Sequence, residues 1–290
     1  MTTAKKNTDK VSLTEGADTD ILEIVRPAPG ITEIWLNRPD KHNAFNPELI
    51  ARIHQTITRL AADADTRVLI IAGRGKSFCS GADLKYMKSM VNYSHAENVA
   101  DAARLAAMLR ALHDFPKPII AAVHGNVFAG ATGMICCSDL VVAAENTRFS
   151  ISEVKLGLVP AVISPFVISR MGPHLARRYF LTAEVFDTKA ASAAHLIHET
   201  VAADSLMTRA HELAAQLLRN APGAMADTKN LIRYLVPVPK DAAVTEYTCE
   251  LIARVRAAEE AQGGLQAFFD KADAPWITSS QKQSTGKGGN

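Results

Sequence analysis

Two small-residue junctions and one carboxylate hold the residue types from which a site that stabilises an oxyanion can be built. The first junction is Ser77-Phe-Cys-Ser-Gly-Ala-Asp-Leu-Lys85, which follows a buried strand and a Gly-Arg-Gly-Lys loop. Gly81 permits backbone geometry that other residues resist, and Asp83 is an N-cap for the helix that follows, leaving the amide of Ala82 to point into a cavity. The second junction is His124-Gly-Asn-Val-Phe-Ala-Gly-Ala-Thr-Gly133. Small residues from 129 to 133 let a ligand approach the backbone, and a helix start turns unpaired N–H groups and a positive dipole end toward it. Two amides focused on one oxygen make an oxyanion hole, in which one lost donor costs roughly 2.7–4 kcal/mol of transition-state stabilisation. Either junction alone also reads as a plain glycine turn feeding a helix.

The carboxylate is Glu153, set between a short strand, Arg148–Ile151, and the apolar turn Leu156-Gly-Leu-Val-Pro160. Partial burial there raises a carboxyl pKa and makes it a usable proton carrier, worth roughly 10²–10⁴-fold when positioned. The bland reading is an exposed loop carboxylate. Among the histidines only His195 and His198 have ligand spacing, and near a helix end they suit a capping or surface role better than zinc. His124, just before Gly125, either contacts a ligand or packs at a strand end. Cys136 and Cys137 read as buried small hydrophobes, and Cys79 lacks an evident activating base. No Gly-x-Ser-x-Gly elbow, Walker A loop or Gly-x-Gly-x-x-Gly fingerprint occurs.

These junctions need strands to deliver them and helices to cover them. Ile21–Val25 and Ile31–Leu36 flank a Pro-Ala-Pro-Gly turn and predict an opening hairpin. Asn46 offers an N-cap with Pro47 at the first helical position, and Leu49, Ile53, Ile57 and Leu60 follow at helical spacing. Val68–Ala72, Ile119–Val123 and Leu140–Ala144 read as buried strands, with a helix carrying Leu105, Leu109 and Leu112 between the first two and another after Gly130. That alternation implies right-handed βαβ units and a largely parallel sheet covered by helices. After Ala161 the pattern turns helical, with helices expected at Ser205–Arg219, Pro222–Tyr234, Asp241–Arg256 and Leu265–Ala272.

The chain has 290 residues, enough for a large core, with 32 Lys and Arg against 30 Asp and Glu. That balance gives no reason to expect nucleic acid or an anionic membrane as partner. The longest apolar stretch, Pro118 to Ala144, is interrupted by His124, Asn126 and Asp139, and suits a core better than the roughly 20 apolar residues of a membrane span. Four cysteines without ligand spacing fit a reduced, cytoplasmic chain. The expected division is a disordered tail at 1–19, a core at 20–204, a C-terminal helical region at 205–278 and a second disordered tail at 279–290.

Together and about 48 residues apart, the two junctions resemble one family, the enoyl-CoA hydratase/isomerase (crotonase) superfamily, over roughly Ile21 to Trp276. The matching segments are Asn37-Arg-Pro-Asp-Lys-His-Asn-Ala-Phe-Asn46, Phe78 to Lys85, Pro118 to Gly125, Cys137-Ser-Asp139 and Phe149-Ser-Ile-Ser-Glu-Val-Lys-Leu-Gly-Leu-Val-Pro160. The resemblance implies an α/β fold with a crotonase-like ββα spiral core and a C-terminal helical oligomerisation region, assembled as a homotrimer or homohexamer. It implies an acyl-CoA thioester substrate and no separate cofactor, coenzyme A being part of the substrate. The amides of Ala82 and Gly130 would bind the thioester oxygen and Glu153 would carry the proton, with Ser80, Gly81, Asp83, Lys41, His124 and Gly133 around the substrate. Typical hydratases of the family carry two glutamates; the first falls here on Gly133.

Gly133, with Pro160-Ala-Val-Ile-Ser-Pro-Phe166 and Arg177-Arg-Tyr-Phe-Leu-Thr-Ala-Glu184, looks most like the bacterial branch that hydrates 3-methylglutaconyl-CoA or its isohexenyl relative. Such substrates carry a second carboxylate, for which Arg148, Lys155 and Arg170 are candidate partners or ordinary surface charges. The alternatives are a Δ3,Δ2-enoyl-CoA isomerase working with one glutamate and a non-catalytic acyl-CoA-binding or RNA-associated scaffold.

Overall fold

The computed structural model describes residues 21–236 and 258–278, with 246, 247, 249, 251, 252, 254 and 255 between them. The tails expected at 1–19 and 279–290, and much of the helix expected at 241–256, lie outside the described residues.

The chain opens with β1 (Leu22–Ala28) and β2 (Gly30–Leu36), an antiparallel hairpin with an irregularity between Val25 and Ala28. α1 (Pro47–Ala62) follows, with the Asn46 side chain accepting from Leu49 N at 2.9 Å and Pro47 in its first turn. β3 (Thr66–Gly73) leads through the first junction into α2 (Leu84–Met90), and α3 (His95–His113) begins at a capping box between Ser94 and Glu97. β4 (Ile119–Val123) runs into β5 (Asn126–Phe128) and α4 (Gly130–Cys136), which carry the second junction. Then come β6 (Leu140–Ala144), β7 (Arg148–Ser150), a 3-10 turn at Glu153–Leu156, α5 (Ser164–Thr182) and α6 (Thr188–Ala193). β8 (Glu199–Val201) precedes α7 (Leu206–Leu218), α8 (Pro222–Leu235) and α9 (Glu259–Phe269).

The main sheet has the order β1-β2-β3-β4-β6-β8, and every pairing after the first is parallel. β4 and β6, and β3 from Val68 to Ala72, are apolar throughout because both faces are covered. Ile119, Ala121 and Val123 of β4 join one apolar cluster with α1 and α3, while Ile120 and Ala122 join another with α7. β5 and β7 form a separate parallel pair, in register Asn126 with Arg148 and Phe128 with Ser150.

Three features depart from the sequence reading. β5 and β8 are strands of three residues, too short to show any alternation. The last helix runs Glu259–Phe269 instead of Leu265–Ala272, because Gly263 and Gly264 are not a break: they let Pro275 and Trp276 lie against the helix, where an added Cβ would come within 2.9 and 2.6 Å of them. His198 neither caps a helix nor merely decorates the surface, since its Nδ1 accepts from Val141 N at 3.0 Å and extends the edge pairing of β6. The C-terminal segment is tied down by Arg67, whose guanidinium donates to the carbonyls of Trp276, Leu218 and Asn220 at 2.9–3.0 Å. Among the described residues no helix is long and apolar enough to cross a membrane, and no group of three or more metal-ligating side chains gathers.

Candidate active site

The loop after β2 is shaped by two consecutive residues in the left-handed region, His42 (φ 49) and Asn43 (φ 54). Such positions cost about 1–3 kcal/mol each unless their surroundings fix them. Asn43, fully buried, supplies the fixing: its Nδ2 donates to Arg74 O and Ser77 O, both at 2.8 Å, and its Oδ1 accepts from Arg38 N at 2.7 Å. The loop then lies along the first junction. Ser80 N donates to His42 O (3.0 Å), Phe45 N to Gly81 O (2.7 Å) and Asp83 N to Phe45 O (2.8 Å). Ala82, between the last two, is exposed, and its N–H meets no acceptor among the described residues.

The second junction is laid against the first. Cys79 N donates to Asn126 O at 3.0 Å and Phe128 N to Cys79 O at 3.1 Å. Gly81, at φ +96, has room for a Cβ only against Ala129 Cβ at 3.4 Å and Phe128 O at 3.5 Å, so the two backbones are in contact there. Ala129 is held at φ 50, ψ −118, a strained conformation for an alanine, by its own N–H to Ser150 O at 2.8 Å. That twist turns the chain into α4 and frees the N–H of Gly130, which has no acceptor among the described residues. Phe45 ties the pair together: its backbone is bonded on both sides of Ala82, and its ring lies 3.1 Å from where a Cβ on Gly130 would be. Two free amides thus emerge at one junction.

Glu153 reaches the same neighbourhood through β7, because Ser150, three residues earlier, pairs with Phe128. It is half-buried, and its Oε2 is enclosed with no hydrogen-bond partner among the described residues. Burial pushes the carboxyl above its ordinary value, and the backbone N–H groups of Glu153 and Ser152 only partly offset this. A buried carboxylate oxygen without a donor is costly, and such orphans concentrate where a ligand or proton is meant to arrive.

Gly133, on which the resemblance places the family's other glutamate, faces hydrocarbon. A Cβ there would stand 2.5 Å from Ile163 Cγ2, 2.9 Å from Ile163 Cβ and 3.4 Å from Leu109 Cδ1. No second carboxylate fits without moving Ile163.

The remaining residues divide. Gly81 and half-buried Ser80 belong to the junction itself, and Lys41 lies exposed in the 3-10 turn Pro39–Lys41 beside it. Asp83 is committed to structure: it accepts from Lys85 N at 2.9 Å and pairs with Arg38 Nη2 at 2.8 Å. Burial pushes its carboxyl up, but the Arg38 guanidinium and the N–H groups of Lys85 and Tyr86 outweigh it and hold it below its ordinary value. His124 turns to the opposite face of the sheet, lining a cavity of about 260 Å³ with Trp35, Ala72 and Leu206, and its Nε2 contacts Gly75 O at 2.9 Å. It steadies the loop after β3 and is not gathered with the free amides. Of the candidate cations, Arg148 and Lys155 are exposed, while Arg170 donates to Ile135 O near the end of α4 and to Ser138 O just beyond it. Cys79 lies buried under Gly81, and burial pushes its thiol up to about 12, which removes it as a nucleophile. Arg38, Asn43, Phe45 and Ile163 were not singled out from sequence. Each has a partner 30 or more residues away along the chain, and only a run such as Asn37–Asn46, dense in turn residues, hinted at the first three.

Residues 27–279 match the sequence profile of the enoyl-CoA hydratase/isomerase family. The fold matches the crystal structure of an enoyl-CoA hydratase from Shewanella pealeana with a TM-score of 0.86 and 41% identity, over 89% of this chain and 96% of that one. In sequence the chain is 32% identical to a mevalonyl-coenzyme A hydratase of Aspergillus fumigatus, covering 86% of this chain and 92% of the relative. It is 31% identical to a 2,3-dehydroadipyl-CoA hydratase of Escherichia coli, covering 82% and 91%. With nearly the whole described chain matched in both sequence and fold, the protein belongs to the enoyl-CoA hydratase/isomerase family.

Proposed function

We propose that the protein is a hydro-lyase that adds water across the double bond of a 2-enoyl-CoA thioester. The observation that carries this reading is the enclosed, unpartnered Oε2 of Glu153 on the segment that follows β7, whose partner strand β5 leads to the free amide of Gly130. The thioester oxygen accepts from Ala82 N and Gly130 N, and the charge that develops on it as the enolate forms is stabilised by both donors. Polarisation makes Cβ electrophilic. Glu153, ionised, takes a proton from water as its oxygen bonds to Cβ, and returns that proton to Cα as the enolate collapses. The reverse sequence removes water from a 3-hydroxyacyl thioester.

The substrate we infer is a branched glutaconyl-CoA of the 3-methylglutaconyl type, as met in leucine or acyclic terpene breakdown. It is supported by the resemblance around Gly133 and Pro160–Phe166, and by the apolar filling of the space at 133, which gives a hydrocarbon branch a hydrocarbon wall. A homotrimer or homohexamer is the assembly we propose, supported by α8, which buries none of its residues and leaves Ile232 and Tyr234 exposed.

A second reading, Δ3,Δ2-enoyl-CoA isomerisation, is favoured by the same filled space, since one carboxylate suffices to move a proton between carbons. Purified protein assayed with 3-methylglutaconyl-CoA, crotonyl-CoA and a 3-enoyl-CoA separates the two. Hydration of the first at the highest kcat/KM is expected, and isomerisation without hydration would overturn the proposal. Glu153→Gln is expected to lower kcat by roughly 10²-fold or more with KM little changed, because it removes proton transfer and almost no volume.

A further inference from the structure

We propose that Ile163 limits the girth of the acyl group, acting as the specificity-determining residue beside the two free amides. Positions 130 and 133 lie about one turn apart on α4 and so share a face of that helix. Phe45 covers the first of them and Ile163 the second, where its Cγ2 stands 2.5 Å from the place of a Cβ on Gly133. The wall that continues from the Gly130 amide is therefore Ile163 backed by Leu109, and it is hydrocarbon.

Ile163 is well anchored for this purpose. It is 2% exposed, packs in the main apolar cluster, and its carbonyl accepts the first amides of α5, from Phe166 and Val167, both at 3.1 Å. It also lies ten residues after Glu153, at the far end of the same segment. The segment that supplies the proton carrier thus supplies the wall as well.

A β-branched side chain has little rotamer freedom, so it marks a fixed boundary rather than one that yields to the ligand. Misfit of a methylene against such a wall is worth roughly 10–200-fold in kcat/KM. Gly133 and Ile163 act as one unit, in that the glycine exists to admit the isoleucine.

This inference rests on the thioester site proposed above, and the test separates the two. Wild type, Ile163→Ala, Gly133→Ala and the double variant are compared in thermal unfolding and in kcat/KM with 3-methylglutaconyl-CoA and with an enoyl-CoA that carries a larger 3-branch. Gly133→Ala is expected to lower Tm, and adding Ile163→Ala to recover at least half of that loss. Ile163→Ala alone is expected to raise the ratio of kcat/KM for the larger branch over 3-methylglutaconyl-CoA at least tenfold, a change that a merely structural role would not produce. An unchanged ratio in folded Ile163→Ala, or Gly133→Ala losses that add to those of Ile163→Ala, would overturn the role of Ile163 while leaving the site intact. Absence of turnover by wild type on every thioester would instead overturn the site, and with it this inference.

Discussion

The amide junction and the segment that carries Glu153 are built to opposite standards. At the junction, residues 42–45, 79–83 and 126–130 are laced by backbone hydrogen bonds of 2.7–3.1 Å, and Asn43 is buried with three bonds of its own. Three non-glycine residues there, His42, Asn43 and Ala129, are held at positive φ. Past Glu153, by contrast, Leu156, Leu158 and Val159 are 59%, 54% and 72% exposed, and the chain turns at Gly157, where an added methyl group would meet nothing within 4 Å. Charge stabilisation needs donors fixed before the reaction, so strain and dense bonding belong at the junction. Fitting different acyl groups asks only for a boundary, and Ile163 provides it at the end of a loosely held stretch.

The contrast can be broken most severely at Gly125, on the tight side. An added methyl would sit 2.0 Å from Lys76 O at a backbone φ of +60, so Gly125→Ala is expected to cost more than about 4 kcal/mol and to leave little folded protein in a urea titration. Asn43→Ala comes next: it strands Arg38 N and the carbonyls of Arg74 and Ser77, with an expected loss of about 2–4 kcal/mol in the same titration and a fall in kcat as Ala82 loses its support.

On the loose side the sharpest readout is pH. The base proposed here, Glu153, would work only when ionised, and its pKa is raised, so the acid limb of the kcat/KM profile should lie above the ordinary carboxyl value of 4.5. Activity should fall roughly tenfold per unit below that limb, and a limb at or below the ordinary carboxyl value would remove Glu153 from the rate-limiting proton transfer. The smallest effect is expected at Val159. Val159→Ser removes an exposed apolar group and should shift stability by no more than about 0.5 kcal/mol, and a larger loss in the assembled protein would mean that the exposed stretch is buried against a neighbouring subunit.

How much of this is legible before any coordinates follows from the range over which each signal acts. The hairpin, the central strands and α1 announce themselves locally, through β-branched runs and the Asn46-Pro47 cap. The two junctions are legible as a pair, because small residues after a strand mean the same thing wherever they occur. Nothing local tells that His124 points through the sheet to the far face; β4 alternates between two apolar clusters, and only the sheet's covering on both sides decides which face the next residue takes. Asp83 reads equally well as a ligand-facing carboxylate or a cap until Arg38, 45 residues away, claims it. That position 133 is a glycine, where the resemblance expects a glutamate, is visible in sequence, but the packing of Ile163 against it is a tertiary fact.

The anchoring of Arg67 bears on how the chain is made. Its guanidinium bonds to the carbonyl of Trp276, 209 residues later, and the indole of Trp276 donates to Arg219 O at 2.8 Å. At roughly 5–20 residues per second of synthesis, about 10–40 s separate the emergence of the two partners from the ribosome. For that interval the guanidinium on the third strand lacks the last of its three carbonyl acceptors, those of Leu218 and Asn220 being made about 56–58 residues earlier. One of the bonds that fix the third strand is thus made only after the segment beyond α9 has been synthesised.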